Sequence, residues 1–151
     1  MLRDTVRIRY GLRCGYCGVH EDEVGALLTV DHFQPRAHGG TDALDNLVYC
    51  CHACNEFKSD WWNPTGEERL LHPLNEESSV HLVEREDFTL EPLTPTGAFH
   101  ITRLHLNRPQ LIASRRKRHL EENYRRLTER HQHVLELMEQ LINQLNQIKP
   151  D

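Results

Sequence analysis

Residues 14–58 read CGYCGVHEDEVGALLTVDHFQPRAHGGTDALDNLVYCCHACNEFK, with a C-x2-C pair near each end. Cys14 and Cys17 form the first pair, Cys51 and Cys54 the second, and 33 residues separate them. Zn²⁺ takes four soft ligands tetrahedrally at about 2.3 Å, and a C-x2-C turn presents two thiolates to one ion. The two pairs therefore point to a single structural zinc site ligated by Cys14, Cys17, Cys51 and Cys54. Neither pair lies in a thioredoxin-like βαβ pattern, which argues against redox motifs. Cys50 is left over. Cys50, His20 and His52 stay open as alternative ligands, although the C-x2-C spacing favours Cys51 and Cys54. Four cysteines leave no vacant coordination position, so this zinc is expected to hold the fold and not to do chemistry.

Inside the cysteine frame, Leu27–Phe33 has the pattern of a strand that carries Asp31-His32 at its end. Gln34–Asp45, with Pro35, Gly39 and Gly40, reads as a loop. Asn46–Cys50 reads as a second strand, and His52–Asp60 as a short helix bearing Asn55 and Lys58. This order sets Asp31 and His32 opposite the start of the helix. Asp31 and Asn55 are oxygen donors of the kind Mg²⁺ uses, since that ion takes few protein ligands and keeps several waters. A neutral imidazole beside them is able to take a proton from water near pH 7.

Taken together, Cys14/Cys17, Asp31-His32, Pro35…Gly39-Gly40, Asn46-Leu47 and Cys51/Cys54-Asn55…Lys58 resemble the HNH endonuclease family in order and spacing. The resemblance covers roughly residues 1–60. It implies a zinc-stapled ββα-metal (HNH, treble-clef-like) core; with an irregular β-poor middle and a long C-terminal α-helix, the expected fold class is α+β. The resemblance implies that His32 is the general base, that Asp31 and Asn55 hold the catalytic metal, and that Asn46 orients the base and its loop. Asn55 stands where many members have His, making this an HNN variant. That change favours Mg²⁺ while leaving other divalent ions open. The reaction implied is hydrolysis of DNA phosphodiester bonds to a 5′-phosphate and a 3′-hydroxyl; the motif leaves RNA open. Arg36, His38 and Lys58 are candidate phosphate contacts. Trp61-Trp62 suits packing on the metal module better than stacking on a base.

Three regions follow: 1–62 as the nuclease core, 63–105 as an acidic segment, and 106–149 as a basic and then heptad-patterned helix. In the middle region Val80–Val83, Phe88–Leu90 and Phe99–Leu104 read as short strands or irregular structure. A helix is expected from Asn107, as N-cap, to Ile148, with Pro109 in its first turn. At about 1.5 Å per residue it would be roughly 63 Å long. Leu120, Tyr124, Leu127, His131, Val134, Met138, Leu141, Leu145 and Ile148 alternate at spacings of four and three, the a/d seam of a coiled coil. A homodimer through this helix is the expected assembly. The segment Leu104–Ile112 also resembles tails that follow HNH modules in some stand-alone proteins, and it runs into Arg115-Arg116-Lys117-Arg118.

The formal net charge of −5 argues at first against a nucleic-acid partner. It is an average. Residues 1–19 carry four Arg against one Asp, and 103–119 carry six bases and no acid, with an acidic stretch between. A binding site follows its local field, so Arg115, Arg116 and Arg118 are candidates for tracking a DNA backbone. No stretch approaches the ~18 consecutive apolar residues of a membrane span. The first residues show no apolar run, so a secretory signal is not expected, and free cysteines suit a reducing cytoplasm. The competing function class is a non-catalytic zinc-stapled DNA-binding or scaffold protein dimerised by its C-terminal helix. The combination of Asp31, His32 and Asn55 speaks against it, because a binding module needs no base beside two metal-type ligands.

Overall fold

A computed structural model describes residues 2–148 of the chain. Its helices are α1 (Leu2–Arg9), α2 (Glu21–Val24), α3 (His52–Lys58), α4 (Pro95–Arg103) and α5 (Pro109–Ile148). Its strands are β1 (Thr29–His32), β2 (Leu47–Cys50), β3 (Leu82–Glu84) and β4 (Leu90–Pro92). Residues 2–114 make one unit, and residues from Arg115 onward, all helical as far as Ile148, make a second. Among the described residues no helix is long and apolar enough to cross a membrane.

The centre of the first unit is a ββα arrangement. β1 and β2 pair antiparallel with Thr29 opposite Cys50 and His32 opposite Leu47. Leu47, Val48, Tyr49 and Cys50 are all buried, because α1 packs against this sheet and the fold covers both of its faces. β-branched and aromatic residues suit such a strand. Tyr49 also has a polar role: its hydroxyl accepts the Leu28 amide at 2.9 Å and donates to Glu21.

The basic N-terminus is consumed by the fold. Arg3 donates to the Leu28 carbonyl at 2.7 Å, and Arg9 to the Leu44 carbonyl at 2.6 Å. Arg7 binds both oxygens of Glu21, at 2.7 and 2.6 Å. Hydrogen bonds from Arg7 and then Tyr49 outweigh desolvation and hold the Glu21 carboxyl down at about 2. The charge excess of residues 1–19 is therefore engaged in folding α1 onto the sheet.

Two expectations for the middle region change. Val80 lies in a 3-10 turn and Phe88 in a turn with φ 67°, so the hairpin is β3 with β4. Phe99–Leu104, expected as strand or irregular, belongs to helix α4 and its C-cap. Thr94 caps that helix by accepting the Gly97 amide at 3.0 Å, and Pro95 occupies its first turn. Gly97, His100, Ile101 and Leu104 are its buried stripe, at helical spacing. A Cβ at position 97 would sit 2.0 Å from the His81 carbonyl oxygen, so only glycine fits there.

His100 accepts the Leu71 amide on Nδ1 at 3.1 Å. Burial pushes its pKa down to about 4. The unfolded chain therefore binds a proton at this residue between about pH 6.5 and 4 that the folded chain does not. Stability from this residue is complete above about pH 6.5 and is lost as pH falls toward 4, by up to about 3 kcal/mol. Urea unfolding of wild type and His100→Asn at pH 7.5 and 5.0 should show a smaller acid loss in the variant; equal losses would contradict this.

Asn107 does not cap α5. Its side chain accepts the Leu90 amide at 2.7 Å and donates to the Leu90 carbonyl at 2.8 Å, standing in for a neighbouring strand at β4. The helix starts at Pro109 and is continuous for 40 residues. In the second unit Leu120, Tyr124, Leu127, His131, Val134, Met138, Leu141 and Leu145 are all exposed. The side chain of Ile148, the last expected seam position, and residue 149 lie outside the described residues.

Candidate active site and metal centre

The two C-x2-C pairs converge. Cys14 and Cys17 sit on a turn closed by Gly18 N to Cys14 O at 2.8 Å and Cys14 N to Val19 O at 2.9 Å. Gly18 adopts φ 74°, a conformation that favours glycine. Cys51 is the N-cap of α3, and Cys54 follows within its first turn. The four sulfurs lie within 4.8 Å of one another, with Cys17 and Cys51 3.8 Å apart. A tetrahedron with ~2.3 Å Zn–S bonds has edges of about 3.8 Å. Donor set and spacing therefore fit a structural zinc ion, and the core is zinc-stapled. Among the described residues this is the one metal-type cluster of cysteine, histidine and carboxylate groups. Cys50 is outside the quartet, buried at the end of β2, and burial pushes its thiol up. His20 caps α2 through Nδ1, and His52 lies on the surface near Glu56.

Arg108 completes this centre and was not foreseen from the sequence. Its Nη2 lies 3.7 Å from Cys54 Sγ and 3.9 Å from Cys51 Sγ, and its guanidinium lies over Phe57. Its Nη1 donates to the Leu104 carbonyl at 3.0 Å. A cation against thiolates offsets the negative charge that four cysteinates bring to one Zn²⁺. The Asn-Arg-Pro of residues 107–109 thus has three local tasks: edge of β4, thiolate partner, and start of α5.

Asp31, His32, Arg36 and Asn55 line one surface cleft, with Glu56 and Asp60 also on its wall. Asp31 and His32 come from the end of β1, and Asn55 from α3. Lys58 corrects an expectation: its side chain is 0% exposed, so it is not a phosphate contact. Its Nζ lies 2.9 Å from Asp31 Oδ2 and donates to the His32 carbonyl at 2.8 Å. The ammonium offsets the Asp31 charge and pins the end of β1 to α3. Asp31 Oδ2 is thus buried beside the ammonium, while the residue as a whole stays partly exposed on the cleft.

Asn46 clamps the loop between the strands. Its Oδ1 accepts the Gln34 amide at 2.8 Å, and its Nδ2 donates to the Thr41 and Gln34 carbonyls at 2.8 and 3.1 Å. Gly40 allows the closure, since a Cβ there would lie 1.7 Å from the Gln34 oxygen. His32 Nε2 lies 2.7 Å from Asp42 Oδ1. Arg36 Nη2 is 2.6 and 2.7 Å from the two Asp42 oxygens. Hydrogen bonds from His32 and then Arg36 hold the Asp42 carboxyl below the usual carboxylate range. Asp42 is a second residue the sequence reading missed; its place two residues after the Gly-Gly pair was the available signal.

The remaining candidates are dispersed. His38 is exposed on a 3-10 turn, with its carbonyl accepting from Gln34 Nε2 at 2.6 Å. Trp61 packs on Phe99 and under Arg103, and Trp62 meets the edge of Phe33. Arg116 is exposed and Arg118 half-buried. Arg115 is buried, at 4% exposure, which removes it from the expected backbone contacts.

A strand pair and helix stapled by four cysteines, with Asp-His at the strand end, define a zinc-stapled ββα-metal core. The HNH endonuclease family model matches residues 14–60, the segment that holds both cysteine pairs, the Asp-His strand end and Asn55. Searches of curated proteins and of solved structures returned no match.

Proposed function

We propose that the protein is a metal-dependent endonuclease that hydrolyses DNA phosphodiester bonds with a water activated by His32. The observation that supports this most is the convergence of Asp31, His32 and Asn55 on one cleft inside the family-matched segment. Asp31 and Asn55 would hold one divalent ion, Mg²⁺ by the hardness of its donors. Such an ion, when bound, neutralises charge on the scissile phosphate and on the departing oxygen. His32 takes the proton of the attacking water as its oxygen bonds to phosphorus. The bond from phosphorus to the 3′ oxygen breaks, and that oxygen leaves with the electron pair and gains a proton from solvent. Lys58 holds Asp31 in place, and Asn46 holds the loop behind His32. Arg36, His38, Arg116 and Arg118 are the proposed contacts to the nucleic-acid backbone.

The deciding experiment is conversion of supercoiled plasmid to nicked or linear form with Mg²⁺, repeated with EDTA and after Mg²⁺ is restored. Metal-dependent conversion is expected. DNA retention without cleavage in any divalent ion would favour the zinc-stapled binding or scaffold protein instead.

The functional unit is proposed to be a homodimer, in a reducing compartment such as the cytoplasm. Support comes from the exposed heptad positions between Leu120 and Leu145 on a continuous helix. An apolar stripe of that length calls for a partner helix of the same register. Light scattering should give twice the chain mass for the wild type and the monomer mass for Leu127→Glu/Leu141→Glu. A monomeric wild type at micromolar concentration would refute the assembly.

A further inference from the structure

We propose that Asp42 is the positioning residue of His32: its carboxylate accepts Nε2–H and so presents an unprotonated Nδ1 to the attacking water. This rests on His32 being the base, and adds which nitrogen works and which group selects it.

A neutral imidazole carries one proton, and the partner of one nitrogen decides which nitrogen holds it. Asp42 Oδ1 is 2.7 Å from His32 Nε2. An ionised carboxylate only accepts, and Arg36 at 2.6 and 2.7 Å from its two oxygens favours the ionised form. Nε2 is therefore the protonated atom, and the lone pair on Nδ1 is the one free to act. Arg36 Nε, at 3.4 Å from Nε2, cannot bond a nitrogen that already carries hydrogen, so its hold on the ring runs through Asp42. As Nδ1 takes the proton of water, the ring becomes a cation beside a fixed anion, which stabilises the charge that develops.

The loop geometry carries the same logic further back. Asn46 Nδ2 donates to the carbonyl of Thr41, the residue before Asp42, at 2.8 Å. It does not touch the imidazole; its hold on the base passes through the backbone that carries Asp42. Gly40, where a Cβ would collide with the Gln34 oxygen, lets that backbone approach.

The test uses the zinc-loaded full chain. Long-range ¹H–¹⁵N spectra of wild type near pH 8 should show His32 protonated on Nε2 and bare on Nδ1. Asp42→Asn should give a mixture of tautomers, or the opposite one. Cleavage by Asp42→Asn should fall about 10–100-fold in kcat with KM little changed. Asp42→Glu should recover part of the loss. Adding Asp42→Ala to His32→Ala should cost nothing further, because the two residues act as one unit. Unchanged zinc content and thermal transition in the Asp42 variants exclude misfolding; Asp42 is 55% exposed. An unchanged tautomer with parent-like kcat in Asp42→Asn, while His32→Ala is inactive, would overturn this assignment and leave the base standing. Parent-like cleavage by His32→Ala would overturn both.

Discussion

His32→Ala should lower the rate of metal-dependent cleavage by about 10²–10⁴-fold, the usual worth of a positioned general base. Fold and zinc content should not change. The imidazole is 24% exposed at the end of β1, and its polar partners, Asp42 and Arg36, lie on an open loop. Its removal empties no packed interior, so a thermal transition within a few degrees of wild type is expected. Single-turnover cleavage at saturating Mg²⁺ measures the chemical step, and zinc content by mass spectrometry confirms the staple. Asp31→Ala should also abolish cleavage, but with a stability loss, because it strands the buried Lys58 ammonium without its carboxylate. That contrast separates a base from a metal ligand that also balances a buried charge. A His32→Ala enzyme that cleaves like its parent would end the assignment.

Loss of the zinc staple should have a larger effect on the fold than any other single change. Apparent zinc-binding energies for four-ligand sites are about 10–16 kcal/mol, against total domain stabilities of about 5–15 kcal/mol. Residues 2–114 have a small core, and the cysteines themselves form part of it. Cys54→Ser, or prolonged exposure to a strong chelator, should therefore unfold the ββα unit and disperse the packing around Trp61 and Phe99. Trp fluorescence and near-UV dichroism report that collapse, and for the chelated wild type restored Zn²⁺ should reverse it. Cys50→Ser is the control: it should keep one zinc per chain and lose only about 1–3 kcal/mol for a buried hydroxyl. A metal-free Cys54→Ser protein with wild-type dichroism would contradict the staple.

Both results depend on features that differ in how far they can be read along the chain. The zinc frame was legible because C-x2-C is a local spacing, and a tetrahedral ion leaves one sensible way to join two such pairs. The strand–loop–strand–helix order was legible for a similar reason, since apolar alternation and Gly-Pro punctuation are local signals. Phe99–Leu104 reads as strand or irregular because its side chains are apolar-rich; the Thr94 cap and burial of one face against the core decide for helix. Asn107 reads as a cap because Asn is a favoured N-cap and Pro109 suits a first helical turn. The edge of β4, 17 residues away in sequence, claimed its amide first.

The sequence by itself determined the four-cysteine frame, the Asp-His strand end, the closing Asn of α3 and the long C-terminal helix. Each depends on residues a few positions apart, where backbone geometry dictates who meets whom. Only the tertiary structure decided which charges are surface and which are structural. Lys58 and Arg115 are buried, Arg108 backs the cysteine sulfurs from 54 positions beyond Cys54, and Asp42 meets His32 from ten positions along the chain. A charged residue in sequence carries no mark of its partner; packing brings the two together, and the cost of burying a lone charge then makes the pairing obligatory.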